Sequence, residues 1–147
     1  MGLRERIQAD LKVAMKAGEK GVVGTLRMLQ AALKNREIEL RRPLEDAEET
    51  AIVQTAIKQR KDSRAQYEAG GRQDLADQEK FEIEVIQAYL PPQLSDEALE
   101  RIVDAAVSET GATGMKDMGA VMKCVLARCA GQADGSTVSA KVREKLA

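Results

Sequence analysis

The chain has 147 residues, 23 of them basic and 24 acidic, and its net charge of -1 is not that of a strongly basic nucleic-acid binder, so any polyanion site must be local. With 44% hydrophobic and 32% charged residues it can bury the core of one domain or two small ones, and it is neither disordered nor fibrous. Histidine is absent, which excludes histidine triads and zinc-hydrolase sites within this chain.

The only aromatics are Tyr67, Phe81 and Tyr89, so Leu, Ile, Val, Met and Ala must build the core, a composition that favours helices over an aromatic-rich sheet. Leu3, Ile7, Leu11, Ala14 and Met15 recur at helical spacing and predict a first helix ending in a left-handed cap at Gly18. The Gly18-x-x-Gly21-x-x-Gly24 stretch reads as an inter-helix turn, since it lacks the Lys-Ser/Thr of a phosphate loop and follows no strand. Val22, Leu26, Leu29, Leu33 and Leu40 mark one side of a second helix to about residue 41. Arg27, Lys34 and Arg41 lie elsewhere on its surface, and Pro43 stops it.

Glu45, Asp46, Glu48 and Glu49 suit a helix N-terminus, and Ile52, Ala56, Arg60, Ser63 and Tyr67 extend one face of a third helix towards Gly70-Gly71. Leu75, Ala76, Glu79, Ile83, Ile86 and Leu90 give a fourth, ended by Pro91-Pro92 and forming a hairpin with the third. The double proline is the best boundary, and Ser95 can cap a fifth helix carrying Leu99, Ile102, Val103, Ala106 and Val107 to Gly111. Met115, Met118, Val121, Met122, Val125 and Leu126 predict a sixth ending near Gly131. Asp134 can cap a seventh with Val138, Val142 and Leu146. The expected fold is all-α: a four-helix bundle-like domain over residues 1–92, then a small three-helix tail domain over 93–147.

Cys124 and Cys129 are five apart on one predicted helix, where the rise alone separates their Cα atoms by roughly 7.5 Å. They read as buried thiols, not as a disulfide or a zinc set. Glu37/Glu39 and Glu82/Glu84 are two apart, so each pair points to opposite sides of its helix and reads as solvated faces or ion pairs. Gly119 inside the sixth helix is explained most simply by helix packing. The charged N-terminus, Met-Gly-Leu-Arg-Glu-Arg, is unlike a signal peptide, and no run approaches the roughly 18 apolar residues of a membrane span. The expectation is a soluble, cytoplasmic protein with no membrane partner.

Charge is segregated. Residues 1 to 44 carry 10 basic and 5 acidic side chains, residues 45 to 92 carry 6 and 11, and residues 115 to 147 carry 6 and 3. In the last stretch Lys116 and Lys123 share one helical face, Lys141 and Lys145 share another, and Arg128 sits near a helix end. Between them Gly131-Gln132-Ala133-Asp134-Gly135 turns into a helix N-terminus whose amides can meet a phosphate. A solvated charged face is the competing reading. A second basic cluster, Lys34, Arg36, Arg41 and Arg42, precedes Pro43.

Four stretches in order carry a family resemblance: Thr25-Leu-Arg-Met-Leu-Gln-Ala-Ala-Leu-Lys-Asn-Arg-Glu-Ile-Glu39, Ile57-Lys-Gln-Arg-Lys-Asp-Ser63, Ala88-Tyr-Leu-Pro-Pro-Gln-Leu94 and Met115-Lys-Asp-Met-Gly119. Together they resemble the YqeY family, itself similar to the C-terminal helical and tail regions of the B subunit of the tRNA-dependent amidotransferase. The resemblance implies a helical bundle followed by a three-helix tail that recognises the tRNA body, while amide chemistry is done by parts this chain lacks. The tail motif matches at Gly119, Val121, Met122, Gly131, Ala133, Asp134, Gly135 and Val138. It departs at Ala120, Ala130, Gln132 and Ser136, where the family commonly has lysine or arginine, and each lost phosphate contact removes a counterion-release contribution.

The expected function is therefore a non-catalytic, tRNA-binding or tRNA-linked accessory protein. Its interface would comprise Lys116, Lys123, Arg128, Gly131, Lys141 and Lys145, with Asp134 capping the helix at the phosphate-facing turn. No catalytic residue, cofactor or metal is expected. Partners would be tRNA and an amidotransferase or aminoacyl-tRNA synthetase. The alternative is a helical module docking on a protein, and a third reading makes the chain part of a carbon-nitrogen ligase with glutamine as amide donor.

Overall fold

The computed structural model describes residues 2–147 and is all-helical, with seven α-helices among the described residues. The chain separates into two compact units, the first ending at Leu90 and the second running Pro91–Ala147.

In the first unit, α1 (Leu3–Ala17) buries Ile7, Leu11 and Ala14, spaced by one helical turn, and stops at Gly18, whose φ of 72° is the left-handed cap that glycine adopts without strain. The expected turn is shorter than the three glycines suggested. α2 spans Lys20–Leu40, so Gly21 and Gly24 lie within its first turns. The reason at Gly21 is packing: a Cβ there would lie 2.9 Å from the Phe81 ring. Thr25 is buried beside it because its hydroxyl donates to the Gly21 carbonyl at 2.9 Å. Arg41 (φ 56°) ends α2 two residues before Pro43.

α3 (Asp46–Ala69) begins where Glu48 accepts the Glu45 amide at 2.9 Å and both Arg42 guanidinium bonds at 2.7 and 2.9 Å. This links the end of α2 to the start of α3, and the arginine holds the Glu48 carboxyl down at about 2. Gly70-Gly71 turns the chain into α4 (Gln73–Gln87), which packs along α3 as the expected hairpin. Arg60 lies on the apolar side of α3 with its side chain only 12% exposed, facing Glu82 of α4 at 3.7 Å and donating to its own Ala56 carbonyl at 3.0 Å. Glu37 is held by Arg4 and Glu39 by Arg36, so these carboxylates serve as ion-pair partners.

Helix α4 stops three residues short of Leu90, and the following turn swings Tyr89 into the core. The Tyr89 hydroxyl donates to Asp10, while Arg6 stacks 5.3 Å from its ring centroid and donates to the Ala88 carbonyl at 3.0 Å. Burial and the Asp10 carboxylate push the Tyr89 phenol well above its ordinary value. Around this tie Leu26, Leu29, Leu33, Val53, Ile83 and Ile86 complete one core.

The second unit is a three-helix packing. Ser95 accepts the Ala98 amide at 3.1 Å to cap α5 (Asp96–Thr110), which ends at Gly111 with φ 66°. Met115–Asp117 is a single 3-10 turn and α6 proper is Met118–Cys129, so Gly119 sits in a first turn and not mid-helix. Nothing lies within 4 Å of a Cβ built on Gly119, which overturns the packing explanation for it. Asp134 accepts the Ser136 amide at 2.9 Å and starts α7 (Gly135–Leu146). Leu99, Val103 and Ala106 of α5, Val121, Val125 and Cys129 of α6, and Val138, Val142 and Leu146 of α7 form the core. Each trio follows the one-turn helical spacing. Both cysteines are free; Cys129 is buried, and burial pushes its thiol pKa up.

Candidate nucleic-acid interface

The tail cations are distributed by the acidic side chains of α5. Asp96, Glu100 and Asp104 recur every four residues and so form one stripe on that helix. Against it Lys145 meets Asp104 at 2.6 Å and Lys141 approaches Asp96 at 3.9 Å, and the two lysines share a shallow notch of about 250 Å³ with Glu100 and Glu144. Asp104 raises the Lys145 pKa by hydrogen bonding to the ammonium. Arg128, at the end of α6, is paired with Glu109, which raises its pKa in the same way. Glu109 lies about 140° round α5 from Asp104, at roughly 100° per residue, so Arg128 and the two α7 lysines attach to different sides of α5.

Lys116 and Lys123 behave differently. Both are exposed and enter no ion pair among the described residues. Gly119, Ala120, Lys123, Leu126 and Ala127 fall within roughly 120° of arc on α6, an exposed face carrying no carboxylate, and Lys116 precedes it in the 3-10 turn. Gly131, at φ 82°, accepts from the Gln93 side chain at 3.2 Å through its carbonyl, and Leu94 donates to the Gln132 carbonyl at 2.8 Å. The residue 91–94 segment thus braces the turn. The Asp134 carboxylate accepts both the Ser136 amide and its hydroxyl, so a negative charge from the chain itself already occupies the N-terminus of α7. Among the five predicted cations, then, Lys141 and Lys145 come together, Arg128 stands apart, and Lys116 with Lys123 make an unpaired edge.

A second basic surface stands in the first unit. A cleft of about 440 Å³ between α1 and α2 is lined by Arg4, Arg27 and Lys34, with Gln30 donating to Gln8 at 2.8 Å inside it. Arg27 and Lys34 are seven apart, as are Lys20 and Arg41 from them on either side. That heptad recurrence is readable in the sequence, although the apolar pattern of α2 by itself marks Arg27, Lys34 and Arg41 only as lying elsewhere on its surface. Among the described residues no group of three or more Cys, Asp or Glu side chains is placed to hold a metal ion, and no helix is long and apolar enough to cross a membrane.

Fold and surface together define a two-unit helical protein whose charge is displayed on helix exteriors. The family model described as Yqey-like protein matches residues 4–146, and the chain belongs to that family. Among curated proteins it is similar to the Altered inheritance of mitochondria protein 41, mitochondrial, of Pyrenophora tritici-repentis, with 30% identity over 142 residues covering 95% of this chain and 78% of the relative. The proteins of the same name from Eremothecium gossypii and Vanderwaltozyma polyspora are 36% and 32% identical over 73% and 76% of this chain; the match spans 60% and 64% of their own lengths. These relatives are named as mitochondrial proteins, which overturns the expectation of a cytoplasmic one.

Proposed function

We propose that this chain is an accessory protein that contacts the phosphate backbone of tRNA through the outer face of its tail. The observation that carries this reading is the unpaired Lys123 on a face of α6 without carboxylates and the unpaired Lys116 in the 3-10 turn before it, with Gly119 between them, whose missing side chain opens the backbone to an incoming ligand. Arg128, Lys141 and Lys145 form a reserve: their pairs are solvent-facing, worth little and screened by salt, so phosphate can displace the carboxylates. Contacts would be to phosphate and shape, since no aromatic residue lies in the tail to stack an unpaired base. For its compartment the reading follows the named relatives, which are mitochondrial.

Titration of labelled tRNA at low and at moderate salt tests it. Binding that weakens with salt and is reduced in the Lys116→Glu, Lys123→Glu double variant is expected; no binding at either salt, or binding indifferent to the variant, sinks it. A second reading, docking on a protein such as an amidotransferase or synthetase, is favoured by the exposure of Met115 at 46% and Leu126 at 43% beside the same lysines. Pull-downs with and without nuclease separate the two, because a docked protein survives nuclease and an RNA bridge does not.

A further inference from the structure

We propose that the outer face of α2 is a second polyanion surface, built to lie along the backbone of double-stranded RNA, and this does not rest on the tail reading. Lys20, Arg27, Lys34 and Arg41 recur every seven residues; the three within α2, with the intervening Gly24, Ala31 and Ile38, occupy an arc of roughly 80°, and Arg41 continues the spacing at the left-handed residue that ends the helix. The four cations extend over about 31 Å at the helical rise. All four are exposed, and none is ion-paired among the described residues. The nearest carboxylate along α2, Glu37, is held by Arg4, and Glu39 by Arg36. Glu19, just before the helix, is exposed.

Helix stability accounts for Arg41, which ends α2 where the dipole favours a cation, but not for the rest of the ladder. Lys20 opens α2, at the end of the helix dipole where a cation is disfavoured. Gly24 sits inside the helix with nothing within 4 Å of its position, so neither packing nor a turn calls for glycine there. Small residues between charged rungs do have a consequence for binding, because they let a backbone approach the helix closely.

The chemistry of the face selects the partner. Single-stranded nucleic acid is held by stacking on aromatic side chains, and none lies on the ladder. A membrane surface calls for a contiguous apolar patch, and Ile38 is the one large apolar side chain of the row. A duplex backbone needs only regularly placed cations on a straight support. Between Arg27 and Lys34 the cleft holds the neutral amides of Gln30 and Gln8, groups that can both donate to and accept from a hydroxyl. Duplex RNA presents 2′-hydroxyls beside its phosphates and is read largely through them. These amides favour RNA over DNA.

The test uses the full chain with a fluorescent RNA duplex of about 16 base pairs, the span that shape-reading RNA modules cover. Four rungs at roughly -0.9 each give a slope of log K against log salt of about -3.6, which is roughly a 150-fold loss between about 50 and 200 mM salt. In Arg27→Gln with Lys34→Gln, with far-UV circular dichroism unchanged, the slope should flatten by about 1.8 and low-salt binding should weaken about tenfold or more. The Lys116→Gln, Lys123→Gln variant should retain this duplex binding if α2 is the surface. Loss of binding in the tail variant alone would overturn the α2 proposal and leave the tail reading standing. Equal affinity for a DNA duplex of the same length, or preference for vesicles of anionic lipid, would also overturn it.

Discussion

Replacing Ala130 by glycine should stabilise the tail, although glycine usually weakens a helical protein. Ala130 ends α6 at φ 46° and ψ 48°, the left-handed conformation. An L-residue pays about 1 to 2 kcal/mol there, because its Cβ crowds the following carbonyl oxygen. Ala130 is exposed, so removing its methyl group forfeits little burial. Its amide bond to the Leu126 carbonyl, 3.2 Å long, survives the change. Against the relief stands the greater freedom of glycine in the unfolded chain, about 0.4 to 1 kcal/mol. The net expectation is a gain of about 0.5 to 1 kcal/mol. Gly111, which ends α5 at φ 66°, provides the reverse experiment, and Gly111→Ala should cost a similar amount. Urea unfolding followed by far-UV circular dichroism would show the tail transition moving by about 0.5 to 1 M, given a slope near 1 kcal/mol/M for a small unit. Tyrosine fluorescence offers an internal control, because Tyr67 and Tyr89 both lie in the first unit. A lower midpoint for Ala130→Gly, or a higher one for Gly111→Ala, would refute the reasoning.

Core and surface of α2 should separate cleanly: Leu33, with none of its surface exposed, should cost about 3 to 5 kcal/mol on truncation to alanine, whereas Ile38, 62% exposed, should change stability by about 0.5 kcal/mol or less in the same denaturation assay. Gly24→Ala should stabilise α2 by about 0.5 to 1 kcal/mol because its surroundings are open, and Gly21→Ala should gain less, since the Phe81 ring must move; thermal melts of the two would rank them. Glu48 titrates at about 2 when folded against an ordinary 4.5, so its bond to Arg42 contributes stability above about pH 4.5 that is lost as pH falls towards 2. Glu48→Gln should therefore flatten the acid limb of a stability-against-pH curve, and an unchanged limb would count against the Arg42 link. A thiol reagent should label Cys124 before the buried Cys129 in the native protein, and equal rates would contradict the packing of α6.

Much of the helical layout was legible in the residues because its causes are local. The one-turn recurrence of Ile7, Leu11 and Ala14, or of Val121, Val125 and Cys129, marks the face that a helix must bury, and that periodicity holds whatever the partner helix is. Gly18 and Gly111 as left-handed ends, and Ser95 and Asp134 as caps, act within four residues of themselves. The same logic misled at Gly21. Its glycine signal resembles that of a turn, and only the arrival of the Phe81 ring from α4 explains why it lies in a helix.

For the charged surfaces the division is sharper. Composition required any basic site to be local, and the charge count along the chain put the net-positive stretches at residues 1 to 44 and 115 to 147. Which of them remain available to a partner depended on packing. Lys145 meets Asp104 across 41 positions and Arg128 meets Glu109 across 19, separations at which no periodicity carries information. Tyr89 reaches Asp10 across 79 positions, and the cleft beside Arg27 and Lys34 exists only because α1 lies along α2. Helix formation follows from neighbours in the chain, whereas charge pairing follows from neighbours in space. The first belonged to the sequence alone, and the second was decided by the fold.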